Sequence, residues 1–169
     1  PDNETVATLP SDLDDTRHTV MSYTYATPAG DKGNEYSFHP TTPMILDIGA
    51  IQYLYGANMR YHSGNDVYAF DETTPYHETI WDGGGIDTLQ FTGSMSNVID
   101  LTPGAASFIG LPVYVQSNGV NLGSAIPNVW IAGGVILENV IAGEGNDVLI
   151  GNTISNSLDG GQGIDFVQV

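Results

Sequence analysis

Residues 142–168 form three rows of nine residues, which read AGEGNDVLI (142–150), GNTISNSLD (151–159) and GGQGIDFVQ (160–168). The sixth position of each nine-residue row carries an oxygen-bearing side chain and the eighth an apolar one: Asp147, Asn156, Asp165 and Leu149, Leu158, Val167. In this pattern the glycines allow a tight turn, the Asp adds a charged oxygen, and the apolar residue begins a short strand. The stretch therefore predicts a short parallel β-roll.

Stacked rows of this kind offer a site for a calcium ion. Ca²⁺ takes roughly six to eight oxygen ligands, and since one row supplies about half of them, the row two places along supplies the rest. The first and third rows fit the pattern, so we predict one roll site formed by Gly143, Gly145, Asp147, Gly160, Gln162 and Asp165. The middle row, with Asn152 and Asn156, has no fourth row to pair with, so a second roll site is expected to be absent or weak.

The charge of the chain restricts its partners. It has 20 acidic and three basic residues, a net charge of −17, which argues against nucleic-acid binding because that needs a basic surface. Several acids lie beside glycines and not in runs, which favours cation binding. There is no cysteine for a disulfide and no apolar stretch long enough to span a membrane. The first residues, 1–4, do not form a signal peptide.

A helical pattern precedes the β segments. Residues 1–41 are polar and turn-rich, and apolar residues at helical spacing then predict a helix over 42–56 that is buried on both sides. Thr42 is its predicted N-cap and Pro43 its first residue.

After Asn58 the pattern predicts strands near 66–70, 78–81, 87–92, 97–101, 112–116, 128–132 and 135–141. The predicted fold is therefore mainly β: a β-sandwich that continues into the short parallel β-roll, preceded by a small α-containing segment. The predicted units are 1–57 and 58–169.

Five motifs, from about residue 15 onward, occur in the order found in a known family: Thr19–Tyr23, Asp47–Asn58, Gly64–Tyr68, Trp81–Leu89 and Glu138–Ile141. In this order they resemble the serralysin family of secreted bacterial zinc metalloproteases. The first resembles that family's Met-turn and the second the helix that ends its catalytic domain. The next two resemble the opening of its calcium-binding domain, and the last leads into the roll.

The zinc-binding motif of that family, HExxHxxGxxH, is absent from this sequence. The four histidines are His18, His39, His62 and His77, and no two of them are four residues apart, as two zinc ligands on one helix must be. The resemblance therefore implies the C-terminal portion of such a protease, with residues 1–57 as a remnant of the catalytic domain. Zinc would belong to an intact parent enzyme, and this chain alone is expected to be inactive.

The resemblance also implies roles for individual residues. Met21 would form an apolar floor beneath the zinc, and the Tyr23 hydroxyl would assist catalysis only if the missing zinc helix were supplied. One calcium ion would be held by His62 and Gly64 through their carbonyls, with Asp66, Asp82, Gly84 and Asp87. A second would use Gly85, Asp87, the carbonyl of Ile136, and Glu138, so that Asp87 bridges the two. With the roll site this gives about three calcium ions.

The expected function is that of a calcium-binding module that supports folding, secretion and stability of a protease. The resemblance implies an extracellular protein, exported by type I secretion, whose partners are calcium ions and the missing catalytic portion. One alternative is an adhesin or surface-layer module on the same roll, which would need neither Met-turn nor preceding helix. Another is a polysaccharide lyase or epimerase on a parallel β-helix, for which the sequence offers no clustered catalytic set.

Overall fold

The structure, a computed structural model, describes residues 8–24 and 34–169. In these residues it has one helix and thirteen strands, in the order β1 Asn34–Tyr36, α1 Ile45–Tyr55, β2 Val67–Asp71, β3 Glu78–Ile80, β4 Thr88–Thr92, β5 Val98–Asp100, β6 Ala106–Ser107, β7 Val115–Ser117, β8 Val120–Asn121, β9 Val129–Ile131, β10 Asn139–Ile141, β11 Val148–Ile150, β12 Ser157–Asp159 and β13 Phe166–Gln168. The predicted mainly-β fold is confirmed. No helix of the described segments is both long and apolar enough to cross a membrane.

Two parallel sheets form the body of the molecule. Their strand orders are β12-β10-β4-β2 and β13-β11-β5. Consecutive strands alternate between the sheets, because β4 is followed by β5, β10 by β11 and β12 by β13. Val140 is paired with Leu89 on one side and Leu158 on the other, so the strand entering the roll continues a sheet that begins at β2. Parallel winding therefore extends well before the repeat at 142–168.

The two parallel sheets share one apolar core. Leu89 and Val140 from the first sheet and Ile99 and Leu149 from the second are buried in the same cluster. Sheets of parallel strands are stable when both faces are covered, and here the inner faces cover each other. Leu149 occupies the eighth position of the first row and is fully buried, as the repeat predicts.

Residues 101–138 separate β5 from β10, two successive parts of the parallel winding. They contain the strands β6 to β9. β3, β9 and β6 form a third sheet, whose buried residues Ile80, Val129 and Ile131 extend the main core. β1, β7 and β8 form a fourth, antiparallel sheet over a separate cluster of Tyr36 and Val115.

Three short strands were not predicted: β1, β6 and β8. The prediction that strands begin only after Asn58 is wrong, because β1 precedes the helix. Its partner is β7, far along the chain, and such a pairing leaves no signal in local periodicity.

Two strands begin three or more residues later than predicted. Of 135–141 only Asn139–Ile141 is a strand, because the chain turns at Val135, whose amide donates to the Ala132 carbonyl. In place of 112–116, β7 covers Val115–Ser117, and Val113 makes only an isolated bridge to Ile126. The division of the chain near 57–60 stays a prediction.

The start of the helix differs from the prediction. α1 begins at Ile45, with Met44 at the N-cap position and the Met44 amide donating to the Asp47 carboxylate at 2.8 Å. Thr42 is not the cap, because its hydroxyl oxygen accepts the Thr79 amide of β3 at 2.9 Å. The first turn is therefore capped by a carboxylate inside the helix, with Thr42 holding the preceding segment to the sheet.

Burial of both sides of the helix is also wrong. No residue of α1 is buried, and Tyr53 is 90% exposed. Ile48 packs against the main core, while Ile51, Leu54 and Tyr55 are exposed. Helical spacing shows which side chains share a face, but it cannot show whether another element covers that face.

Candidate metal centres

The turns that lead into the strands of the two parallel sheets stack on one another in two columns. The first turn column consists of turns 61–66 and 82–87, with Glu138. In this column the Gly83 amide donates to the Tyr61 carbonyl at 2.9 Å. The second turn column consists of turns 93–97, 143–147 and 161–165. There the amides of Glu144 and Gln162 donate to the carbonyls of Gly93 and Gly143, each at 2.9 Å.

In the first turn column two carboxylates, those of Asp87 and Glu138, each accept a backbone amide from the turn before. The Asp66 amide donates to Asp87 Oδ1 at 2.8 Å, and the Asp87 amide donates to Glu138 Oε2 at 2.7 Å. Asp87 is fully buried and Asp82 is buried beside it in the same turn. Winding of the chain thus brings four carboxylates together: Asp66, Asp82, Asp87 and Glu138.

The second turn column repeats this arrangement. The Asn97 amide donates to Asp147 Oδ1 at 2.6 Å, and the Asp147 amide donates to Asp165 Oδ1 at 2.9 Å. The Asn97 side chain donates to the same Asp147 oxygen at 3.0 Å. Asn97 was not among the predicted site residues. The signal for it was available, because Gly93 and Asn97 have the same separation as Gly143 and Asp147.

Each column contains one buried carboxylate oxygen without a hydrogen-bond partner: Asp87 Oδ2 and Asp147 Oδ2. Among the described residues no Lys or Arg forms an ion pair with either carboxylate. A buried ionised carboxylate is costly unless a counter-charge compensates it. A cation beside either of these two oxygens would supply the missing counter-charge.

The same burial changes the acidity of both groups. Burial raises the pKa of Asp87, and the negative charges of Asp82, Glu138 and Asp66 raise it further, against the opposing hydrogen bond from the Asp66 amide. Burial likewise raises the pKa of Asp147, with a smaller contribution from the charge of Asp165. In both columns the ionised form is disfavoured without a cation and would be favoured by one.

The residues predicted for the first ion lie together in the first turn column. Asp82 accepts hydrogen bonds from the Gly84 amide and the Tyr68 hydroxyl, each at 2.5 Å. His62 was predicted to offer only its carbonyl, but the structure also places its Nδ1 3.2 Å from Asp66 Oδ1.

Of the residues predicted for the second ion, Asp87 and Glu138 are in contact. A side chain on Gly85 would overlap the Gly64 carbonyl, which shows how closely the two turns approach. Ile136 lies in the same turn as Glu138 and is exposed. Metal ligation by these residues stays a prediction.

The residues predicted for the roll site are close-packed in the second turn column. A side chain on Gly161 or Gly163 would overlap the carbonyl of Gly143 or Gly145, and one on Gly160 would overlap the Asp165 carboxylate. Gln162, predicted to be a ligand through its carbonyl, donates its backbone amide to the Gly143 carbonyl and its side chain to Glu144, the latter at 3.2 Å.

The middle row of the repeat behaves differently. Asn156 accepts the Asn152 amide at 2.8 Å, and its Nδ2 donates to the carbonyls of Leu137 and Glu138. These protein partners favour the predicted absence or weakness of a second roll site, which remains untested.

The predicted Met-turn is attached to the helix. The Thr19 hydroxyl and the Val20 amide both donate to the Asp47 carboxylate, at 2.5 and 2.8 Å. Met21 and Tyr23 project from this turn, with 78% and 101% exposure. The turn is therefore held to the helix through Thr19 and Val20, while the Met21 and Tyr23 side chains are exposed to solvent.

The histidines do not form a zinc site of the family type in the described residues. His18 lies 3.1 Å from Asp15, which also pairs with Arg17. Burial raises the pKa of Asp15, but these two partners outweigh it and lower the pKa to about 2. In the described ranges, the one group of His and carboxylate atoms close enough to share a metal is His62, Asp66 and Asp82.

Comparison with known proteins gives one consistent result. Residues 48–168 match the family described as Peptidase M10 serralysin C terminal. Metalloprotease AprA of Pseudomonas entomophila is 38% identical, over 85% of this chain and 30% of that protein. Serralysin of Proteus mirabilis is 37% identical, over 86% and 29% respectively. Serralysin C of Dickeya chrysanthemi is 39% identical, over 81% and 28%.

The chain therefore spans about 30% of the length of the curated relatives it matches. The family model covers most of the chain, and the relatives are similar over nearly all of it. The resemblance inferred from the five motifs is confirmed: this chain belongs to the serralysin C-terminal family.

Proposed function

We propose that this chain is a calcium-binding module of a secreted metalloprotease, and that calcium controls its folding and stability. The observation that carries the proposal is the pair of buried, unpartnered oxygens, Asp87 Oδ2 and Asp147 Oδ2. Each lies in a column of stacked turns that presents further carboxylates and glycine carbonyls. A cation in each column would satisfy these oxygens and offset the repulsion between neighbouring acids.

The donor chemistry favours calcium over other common ions. Ca²⁺ prefers carboxylate and carbonyl oxygens and accepts irregular, high coordination numbers. Mg²⁺ needs a near-octahedral shell and retains its waters, which suits a close-packed backbone turn poorly. The predicted ligands of the roll site are all oxygens, from Gly143, Gly145, Asp147, Gly160, Gln162 and Asp165. About three ions are expected across the two columns.

Calcium binding of this kind couples folding to the environment. The carboxylates of consecutive turns approach each other only when the chain is wound, so calcium binds the folded form and not the unfolded one. At a concentration about 100 times Kd, each such site stabilises the fold by about 2.7 kcal/mol. At low intracellular calcium the chain would stay loosely folded and suitable for export, and outside the cell it would fold. We infer type I secretion and an extracellular location on this basis.

The enzymatic part of the proposal concerns the whole protease and not this chain alone. The sequence has no HExxHxxGxxH motif, so we expect no proteolysis by the chain itself. The Tyr23 hydroxyl would act only beside a zinc ion held by a catalytic portion. The exposed apolar residues Met21, Leu54 and Tyr55 support such a partner, because they offer an uncovered apolar surface.

Thermal unfolding with controlled metal content tests the proposal. We expect EGTA to lower the melting temperature markedly, calcium to restore it, and magnesium at equal concentration not to. All samples need matched ionic strength, because salt alone stabilises a chain with a net charge of −17 by screening. Melting that is indifferent to EGTA would contradict the calcium assignment.

A further inference from the structure

His62 brings a nitrogen ligand to the first turn column. Its Nδ1 is 3.2 Å from Asp66 Oδ1, and one ligand atom each from His62, Asp66 and Asp82 lie within 4.8 Å of one another. The calcium site implied by the resemblance uses only the carbonyl of His62, so the ring offers a ligand atom beyond that expectation. Nitrogen is not a ligand that calcium prefers, but it suits zinc and related ions.

Neighbouring groups orient the ligand side chains. The His62 ring lies between two tyrosines, with ring centres 4.3 Å from Tyr61 and 5.9 Å from Tyr68. The Tyr68 hydroxyl and the Gly84 amide each donate to one oxygen of Asp82. Such outer contacts are typical of metal sites, where they fix ligand orientation.

A second observation indicates that a cation belongs here. Asp87 is fully buried, keeps Oδ2 without a partner, and accepts the Asp66 amide through Oδ1. The cluster of His62, Asp66 and Asp82 therefore lies next to the buried carboxylate of Asp87, which has no counter-charge from the described residues. Within the described residues the one ion pair in this column joins His62 to Asp66, and it does not involve Asp87.

We propose that His62, Asp66 and Asp82 bind a borderline dication such as Zn²⁺, in competition with calcium. Zinc bonds of about 2.0–2.2 Å at tetrahedral angles place neighbouring ligand atoms about 3.4 Å apart. The 3.2 Å separation between His62 and Asp66 is close to that value. The inference rests on the proposed function in one respect, because Asp66 and Asp82 are also candidate calcium ligands.

Metal titration at pH 7.5 tests this site, with calcium titrated into the calcium-free chain and zinc titrated into the chain kept folded at the lowest calcium concentration that retains its circular dichroism spectrum. Zn²⁺ and Ca²⁺ binding are measured by calorimetry, and Co²⁺ absorption spectra report nitrogen-containing coordination. The test variant is His62→Asn, because Asn tolerates the left-handed backbone at this position (φ +47°) and keeps the carbonyl. The matched control is His18→Asn, which removes a His–Asp pair that has no second carboxylate ligand within reach.

We expect His62→Asn to weaken zinc binding by at least about tenfold, equivalent to about 1.4 kcal/mol. It should change the cobalt spectrum and lower zinc affinity by a larger factor than calcium affinity, because the predicted calcium ligand at this position is the retained carbonyl. His18→Asn should match the parent chain. Circular dichroism in saturating calcium confirms that both variants fold.

Three results would overturn the inference: no zinc binding, zinc binding unchanged by His62→Asn, or equal loss of zinc and calcium in that variant. Calcium binding without zinc binding overturns this inference alone and leaves the proposed function standing. Failure to bind either metal overturns both.

Discussion

The backbone amide of Asp147 donates a 2.9 Å hydrogen bond to the carboxylate of Asp165, one turn of the roll further along the chain. The amide of Asp66 meets Asp87 in the same way at 2.8 Å. Each bond holds a carboxylate over the preceding turn through one oxygen, which brings acids of consecutive turns together. These hydrogen bonds hold the turns at a short spacing, and the carboxylates of consecutive turns therefore lie close together. Amide donors are neutral, so they do not offset the negative charge of these carboxylates.

The two columns should not depend equally on their carboxylates. We expect Asp87→Ala to reduce calcium binding and thermal stability more than Asp165→Ala. Asp87 is fully buried and adjoins Asp66, Asp82 and Glu138, so its loss leaves several acids without a shared cation. Asp165 is partly exposed and serves one predicted ion. Calorimetric calcium titration with melting curves on both variants measures the difference. Equal losses would contradict two ions bridged by Asp87.

Removal of a buried charge should have opposite effects with and without calcium. In EGTA at pH 7.5, Asp147→Asn should melt a few degrees higher than the parent chain. The variant removes a buried carboxylate whose ionised form the fold disfavours, and each unit of pKa shift corresponds to about 1.4 kcal/mol. In saturating calcium the order should reverse, because the variant loses a charged ligand.

The difference in melting temperature between Asp147→Asn and the parent chain in EGTA should depend on pH. Burial raises the pKa of Asp147 above its ordinary 3.8, so the stability from its protonated form is present below about pH 3.8 and is lost as pH rises through the raised value. The advantage of Asp147→Asn in EGTA should therefore shrink as pH falls from 7.5 towards 4. Melting temperatures measured across this range check it. An advantage independent of pH would show that the charge of Asp147 is not its cause.

The repeat made the roll predictable because every feature of it is local. Glycine, Asp and an apolar residue recur within nine positions, so Leu149 could be placed in the core and Asp147 in a turn before any contact was known. The pairing of that turn with Asn97 could not be inferred in the same way. Residues 101–138 separate the two turns of the winding, and a stack interrupted by so long a segment has no fixed period.

The helix shows the opposite limitation. Its existence follows from apolar spacing, but capping and burial depend on distant residues. Thr42 has the chemistry of an N-cap, yet its oxygen accepts the Thr79 amide because β3 lies beside it. Leu54 and Tyr55 follow the apolar spacing that is typical of core residues, yet both are exposed. Whether an apolar helix face is buried depends on which other elements of the chain pack against it, and the spacing of apolar residues does not contain that information.

Asp47 should hold the Met-turn segment to the helix. Its carboxylate accepts the Met44 amide and the Val20 amide, both at 2.8 Å, and the Thr19 hydroxyl. We expect Asp47→Ala to cost about 1–2 kcal/mol locally. Faster amide exchange at 19–24 and 44–48, without loss of calcium binding, would be the signature. Asp100→Ala is the control, since Asp100 caps the Thr102 amide in an unrelated turn. Unchanged exchange in Asp47→Ala would remove this residue from the attachment.

The close stacking of the roll can be tested with two glycines of nearly equal φ. Gly161 has φ +77° and Gly119 has φ +76°, so alanine at either is placed in the left-handed region, at a cost of about 1–2 kcal/mol. They differ in surroundings: a side chain at 161 would overlap the Gly143 carbonyl, a predicted calcium ligand, whereas one at 119 meets open space. Gly161→Ala should therefore lose the roll calcium and melt several degrees below Gly119→Ala in calcium, with the gap narrowing in EGTA. Calcium titrations and paired melting curves measure both effects. Identical behaviour of the two variants would mean that turns 143–147 and 161–165 are not packed closely enough to share an ion.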